Sequence, residues 1–221
     1  TASDGTTNSN KVYVMNYLDA STNKNRSMAT AFENFQTGPL LNYLSYLKSG
    51  DWCLNDKAYA TSNDNTTALT SQEILDKQIK GTKFYYDSNV RLNGKTTKEP
   101  TLKCNGTNMN KFANEDNTDM YVGTLTADEI VYAGGKAFGI NKNYYLINNY
   151  QKSNSLLFWS LSPNGFGGVD DGTFYVDYGG GFGYDGVAHP RFSFRPAVSL
   201  KSSVQITGGN GTKENPYIIA S

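Results

Sequence analysis

From Ser160 to Leu200 the chain has no Lys, Glu, Gln, Met or Trp. These are the five residue types that no codon ending in a pyrimidine encodes. A stretch diversified at the first two bases of Asn codons would lack the same five. Cysteine is scarce as well: Cys53 and Cys104 stand about fifty residues apart, without the close spacing of zinc ligands or redox motifs. His189 is the only histidine, so any imidazole-dependent triad would rest on it alone. Charge of one sign is absent in the net. Lys plus Arg and Asp plus Glu each number 20, which removes an electrostatic case for nucleic acid or an acidic membrane surface. No apolar run reaches the length of a membrane helix, so no direct membrane insertion by this segment is expected. No signal-peptide pattern begins the chain, and an upstream export or anchoring segment is expected to lie outside it.

What is there is aromatic and polar without charge. The chain holds 16 Tyr and 11 Phe against 2 Trp, and 18% charged residues where soluble proteins carry about a quarter. Asn, Thr, Ser and Gly fill the difference, as in secreted or surface-displayed β-rich domains. That composition favours an extracellular or cell-surface location. In an oxidising compartment Cys53 and Cys104 read as a disulfide rather than as two buried thiols. Closing that loop would contribute on the order of 3–4 kcal/mol. The interval 164–191 is crowded with Gly, Tyr and Asp. Binding paratopes use the same chemistry, with Tyr as a rigid amphipathic anchor and Gly, Ser and Asn as adaptable spacers.

A length of 221 residues with no obvious linker predicts a disordered segment over 1–10 and a single domain over 11–221. Lys11 to Tyr17 reads as a strand and Ser27 to Gln36 as a helix. Pro39 is placed to open a second helix with Leu40, Leu44 and Leu47 inward and Gly50 as its stop. Thr70 with Glu73, and Thr126 with Glu129, have capping-box spacing, with Gly81 and Gly134-Gly135 as terminators. The second box predicts a short helix from Asp128 to Ala133. Strands are expected over Phe84 to Val90 and around Tyr144–Ile147, Leu156–Leu161, Phe174–Val176, Arg195–Leu200, Val204–Thr207 and Tyr217–Ile219. Asn210-Gly211 marks a turn between the last two, and Asn93 to Met120 reads mostly as loop. Helices in the N-terminal half and antiparallel strands in the C-terminal half make an α+β pattern.

Four stretches carry a family resemblance: Tyr121-Val-Gly-Thr-Leu-Thr-Ala-Asp-Glu-Ile-Val-Tyr-Ala-Gly-Gly135, Phe158-Trp-Ser-Leu-Ser-Pro163, Phe194-Arg-Pro-Ala-Val-Ser-Leu-Lys201 and Gly208-Gly-Asn-Gly-Thr-Lys-Glu-Asn-Pro-Tyr217. Together they resemble the C-terminal module of surface proteins from gut Firmicutes. That module has the C-type lectin-like fold in its formylglycine-generating-enzyme branch, which also includes the variable proteins of diversity-generating retroelements. The match runs from about Tyr121 to Ile219. Trp52-Cys53 and Leu102-Lys-Cys104 follow the family's two-cysteine pattern more loosely, and Ser193-Phe194-Arg195 stands where the fold has Gly-Phe-Arg. The resemblance implies a variable binding segment over 164–191, between a Trp-containing strand and a Phe-Arg-Pro strand. Phe166, Phe174, Val176, Gly180, Phe182 and Val187 correspond to fixed framework. Asn164, Gly165, Gly167, Asp170, Asp177, Tyr178, Tyr184, Asp185, His189 and Arg191 correspond to diversified positions.

Catalytic readings fare poorly. The cysteines lie outside the C-terminal pocket that formylglycine generators use. Asp170-Asp171 are adjacent in sequence, which does not set two carboxylates across a cleft. The oxygen-rich run from Asn114 to Asp119 lacks EF-hand spacing and reads as solvated loop. Gly179-Gly-Gly-Phe-Gly183 lacks the Lys-Ser/Thr of a phosphate loop. Arg195 is expected to form a buried ion pair below the site. The chain is therefore read as no enzyme, needing no cofactor or metal. It is expected to be a ligand-binding, adhesin-type module for a protein or glycan, with Asn164, Asp170, Tyr175, Asp177, Tyr178, Tyr184, Asp185, His189 and Arg191 as contact residues. The alternative is a pilin-like or wall-associated structural module whose glycine loop packs against a neighbour.

Overall fold

Two helices are closed at both ends by their own sequence. Thr70 Oγ1 accepts from Glu73 N at 3.3 Å while the Glu73 carboxylate accepts from Thr70 N at 2.7 Å, which starts α2 (Ser71–Ile79). Thr126 and Glu129 repeat the exchange at 3.1 and 2.8 Å and start α4 (Ala127–Tyr132). Each helix ends on a glycine in the left-handed region, Gly81 at φ +63° and Gly134 at φ +105°. The following amides reach back, Thr82 N to Lys77 O and Gly135 N to Ile130 O, and so satisfy terminal carbonyls. The other helices are α1 (Met28–Thr37), α3 (Asp87–Asn93) and α5 (Tyr145–Asn148).

The computed structural model describes residues 16–19, 24–49, 52, 57–63, 66–93, 99–103, 121–148, 157–169, 171–186, 192–212 and 214–220. Segment 1–10, Cys53, Cys104, Asp170, Val187, His189 and Arg191 lie outside the described residues, as does most of the strand expected from Lys11 to Tyr17.

The strands are β1 (Asn16–Asp19), β2 (Lys24–Ser27), β3 (Leu47–Lys48), β4 (Ala58–Tyr59), β5 (Phe84–Tyr86), β6 (Val122–Gly123) and β7 (Gly139–Ile140). They continue with β8 (Leu157–Phe166), β9 (Asp171–Val176), β10 (Gly181–Gly186), β11 (Phe192–Phe194), β12 (Ala197–Leu200), β13 (Gln205–Gly208) and β14 (Ile218–Ala220). The main sheet runs β4-β5-β8-β9-β10-β7, with β11 added to β8 as a parallel neighbour in an otherwise antiparallel arrangement. A three-stranded sheet, β3-β12-β6, and the pairs β1-β2 and β13-β14 complete a mixed α/β architecture.

Strand parity divides the core. Gly172, Phe174 and Val176 share one face, and their partners Tyr184 and Phe182 share it with them. On that face Phe158, Phe174, Val176 and Phe182 pack against Leu92, Ala127, Ile130, Tyr144 and Ile147 from the helical side. Phe84, Tyr86 and Phe166 form a second cluster with Ala58, flanked by Leu69 and by Ile74 of α2. Phe166 pairs with Asp171, so this cluster lies on the opposite face. Between α3 and α4, Arg91 bridges Asp128 at 2.8 Å and Asp87 at 3.3 Å, and Asp128 also accepts from Thr101 N at 2.9 Å. Burial pushes the Asp128 carboxyl above its ordinary range, against the attraction of Arg91 and the Thr101 amide.

Several elements differ from the sequence reading. Phe84–Val90 is strand only to Tyr86. Asp87-Ser-Asn89, poor strand formers, begin α3 instead, with Asp87 in its first turn. The strand expected over Tyr144–Ile147 is replaced by α5 from Tyr145, and Tyr144 just before the helix and Ile147 within it, three residues apart, both turn into the core. The helix expected after Pro39 is a 3-10 helix, Leu41–Tyr46. Leu47 then leaves it to pair with Leu200 of β12. The Arg195–Leu200 strand breaks at Arg195-Pro196, where β11 gives way to β12 in another sheet. β8 runs beyond Leu161 through Pro163 to Phe166, because a bulge carries Ser160, Leu161 and Ser162 past β9.

Candidate functional site

The β9–β10 hairpin is the part of 164–191 that the structure describes most fully, and Asp177 builds its turn. The Asp177 Oδ1 atom accepts from Gly179 N at 2.7 Å and from Gly181 N at 2.8 Å, and Asp177 N donates to Gly181 O at 2.9 Å. Gly180 has φ +79° and donates to Asp177 O at 3.1 Å. Its own carbonyl accepts from Asn141 N at 3.0 Å, so the turn is docked on the loop before α5. A Cβ at Gly180 would strike the Asn141 carbonyl, and one at Gly181 would strike the Asp177 carboxylate. Gly180, expected as framework, thus sits where only glycine fits. Asp177, expected as a contact residue, spends its carboxylate on the turn. Tyr178 at the tip is 58% exposed.

The remaining expected residues fall on two faces. Tyr175 is half-buried, edge-on to Trp159 at 6.3 Å, and lies across Gly183. Burial, followed by the nearby Asp177 and Asp185 carboxylates, raises its phenol above the ordinary value. Asp185 pairs with Thr173 on this side, and its Oδ1 accepts from Gly186 N at 2.8 Å. Asp171, on the same side, accepts from Gln78 of α2 at 3.3 Å. Tyr184 points the other way. It is 55% exposed and sits edge-on to Phe138 at 6.0 Å, which in turn meets Phe174 at 5.6 Å. The sheet therefore separates Tyr175 from Tyr184. Asn164, expected on the display surface, is instead buried at 4% exposure near the end of β8, where the bulge adds it between Pro163 and Gly165. The expected framework side chains Phe166, Phe174, Val176 and Phe182 are all buried.

Phe138 and Ile140 belong to this surface and have no signature in the sequence. Both are exposed on the segment that meets β10. Phe138 has φ 55° without being glycine, a conformation that costs on the order of 1 kcal/mol or more. Beneath the hairpin, burial pushes the Tyr144 phenol up to about 12, the pull of Arg195 opposing it. Arg195, expected in an ion pair, donates to Leu146 O at 2.6 Å and lies 4.1 Å over the Phe158 ring. Side chains so placed can hold a partner by aromatic contact at Tyr178, Tyr184 and Phe138 and by hydrogen bonds at the hairpin edge. No family model, curated protein or solved structure matches the chain.

Proposed function

We propose that the chain is a non-catalytic ligand-binding module of the C-type lectin fold, exported and surface-displayed, whose segment 164–191 presents a diversified face to a protein or glycan. One observation carries this reading. Within a single hairpin, Phe174, Val176 and Phe182 are buried almost completely while Tyr178 and Tyr184 stand more than half-exposed. A scaffold that fixes some positions and frees their neighbours supports display. Two exposed tyrosines acting as hot spots, each worth a few kcal/mol, would dominate a micromolar complex of about 8 kcal/mol. The test is Tyr178→Ala with Tyr184→Ala against a ligand recovered from an array of surface proteins and glycans. Capture should be lost with the fold intact and without any metal requirement. Capture at full affinity by the double variant, or loss on chelation alone, would put the site elsewhere.

The structural-module reading has its own support in the C-terminal hairpin. Ile206, Tyr217 and Ile218 are exposed on β13–β14 and the segment leading into it, apolar side chains that suit packing against a neighbour. Sequencing the native locus separates the two readings. A reverse-transcriptase gene beside a near-copy of the 164–191 coding segment, differing only at adenines, supports display, and the absence of such a copy favours the structural module.

A further inference from the structure

Residue parity along β10 decides which backbone groups face outward. Asp177 N bonds to Gly181 O, so Gly181, Gly183 and Asp185 turn their amides and carbonyls toward β9. Phe182, Tyr184 and Gly186 turn theirs away from it. The Phe182 carbonyl is taken by Phe138 N at 2.8 Å, and Gly186 N–H by the Asp185 carboxylate. Ala137 bridges Phe182 as well, and beyond that point no described residue pairs with this side of β10, with Phe138 at φ 55° where the neighbouring segment ends its pairing. Among the described residues, the Tyr184 N–H and C=O and the Gly186 C=O have no partner on this side. Two further properties define what could fill the strip. One face of the edge carries the exposed Phe138 and Tyr184 rings. The stretch 157–186 also holds four Asp (170, 171, 177 and 185) and no Lys, Arg or His, with Asp177 and Asp185 on the face opposite those rings.

We propose that the outer edge of β10 at Tyr184 and Gly186 receives an extended peptide of alternating apolar and basic residues, which joins the sheet as an added strand. The proposal rests on the binding-module reading and names the partner's chemistry: a protein segment in β conformation. Its backbone supplies the missing hydrogen bonds, its apolar side chains rest on Phe138 and Tyr184, and its cations face the aspartates. The strained Phe138 thus both opens the edge and floors one side of it.

The probe is a fluorescent (Val-Lys)4 peptide, titrated by anisotropy against the whole chain. A (Val-Glu)4 peptide and two (Val-Lys)4 peptides, N-methylated on the valines or on the lysines, serve as controls. The expected result is binding that weakens with salt, is at least about tenfold weaker for the Glu peptide, and is abolished by N-methylation of one residue set while the other is tolerated. Binding should slow exchange of the Tyr184 amide. Tyr184→Pro, which removes an outward N–H from an edge strand, should abolish it. Should that variant not fold, the N-methyl pair decides alone. Equal binding of both N-methyl peptides would overturn the proposal. So would a Tyr184 amide already protected in the free chain, or self-association that Tyr184→Pro abolishes, which would make a second copy the occupant. A ligand from the array that depends on Tyr178 but is indifferent to Tyr184→Pro sinks the edge proposal and leaves the display reading standing. Peptide binding at the edge in a chain whose array ligands ignore Tyr178 does the reverse.

Discussion

Replacing Phe174 by Ala should do more damage than stripping the hairpin of both exposed tyrosines. The Phe174 ring has 0% exposure and sits 5.3 Å from Phe182 and 5.6 Å from Phe138, centroid to centroid. Truncation removes its transfer free energy and leaves a cavity, for a combined cost of about 3–5 kcal/mol. Two aromatic pairs are lost with it, each worth about 0.5–1.5 kcal/mol beyond area, which places this site in the upper half of that range. In a chain of this size each kcal/mol shifts Tm by about 2–4 °C, so the midpoint should fall by about 8–20 °C. Tyr178→Ala with Tyr184→Ala removes one solvated ring and one edge contact to Phe138, and should cost about 1 kcal/mol or less. Urea denaturation and calorimetry on the three proteins give the ranking. A double variant less stable than Phe174→Ala would refute the division between buried frame and displayed tyrosine.

Asp177→Ala should destabilise by about 1–2 kcal/mol and speed amide exchange at Gly179 and Gly181, since both amides lose their acceptor. Asp185→Ala should leave those two amides unchanged, and equal effects would show that Asp177 does not hold the turn. Asp128 supplies a pH test. Its folded pKa is raised, so its contribution is full below the unfolded value of about 4 and is lost as pH rises through the folded value. The stability of the wild type relative to Asp128→Asn should therefore decline as pH rises from about 4, read as urea midpoints. A rising difference over that window would mean that Arg91 outweighs burial.

What was legible in the sequence was local. The boxes at Thr70 and Thr126, the glycines that stop their helices and the turn at Asn210-Gly211 are each written in a few adjacent residues, and each is where the residues indicate. The alternation of Phe174 and Val176 with Tyr175 was visible for the same reason. β10 was not, because Gly181, Gly183 and Gly186 have little strand propensity and the strand exists through pairing with β9. α5 likewise depends on where Tyr144 and Ile147 find a core. The site was half legible. Phe166, Phe174, Val176 and Phe182, expected as framework, are buried, but which residues share a face depends on parity across strands. A bulge shifts that parity without a sequence signal, which is how Asn164 came to be buried. Phe138 joins through a backbone angle that no neighbouring residue announces.

The β8 bulge has a consequence for how freely this surface can change. Leu161 N bonds to Leu125 O at 2.8 Å, Ser162 Oγ accepts from Ala127 N at 2.9 Å, and Ser88 Oγ donates to Pro163 O. Helices α3 and α4 and the residue Leu125 ahead of α4 thereby clamp the strand that precedes the hairpin. A one-residue slip of β8, which would exchange the sides on which its residues fall, is opposed by residues that lie outside the hairpin. Within the hairpin the exposed side chains of Tyr178 and Tyr184 can then be exchanged without disturbing the alignment of the sheet, whereas Asp177 and Gly180 are held by the turn itself.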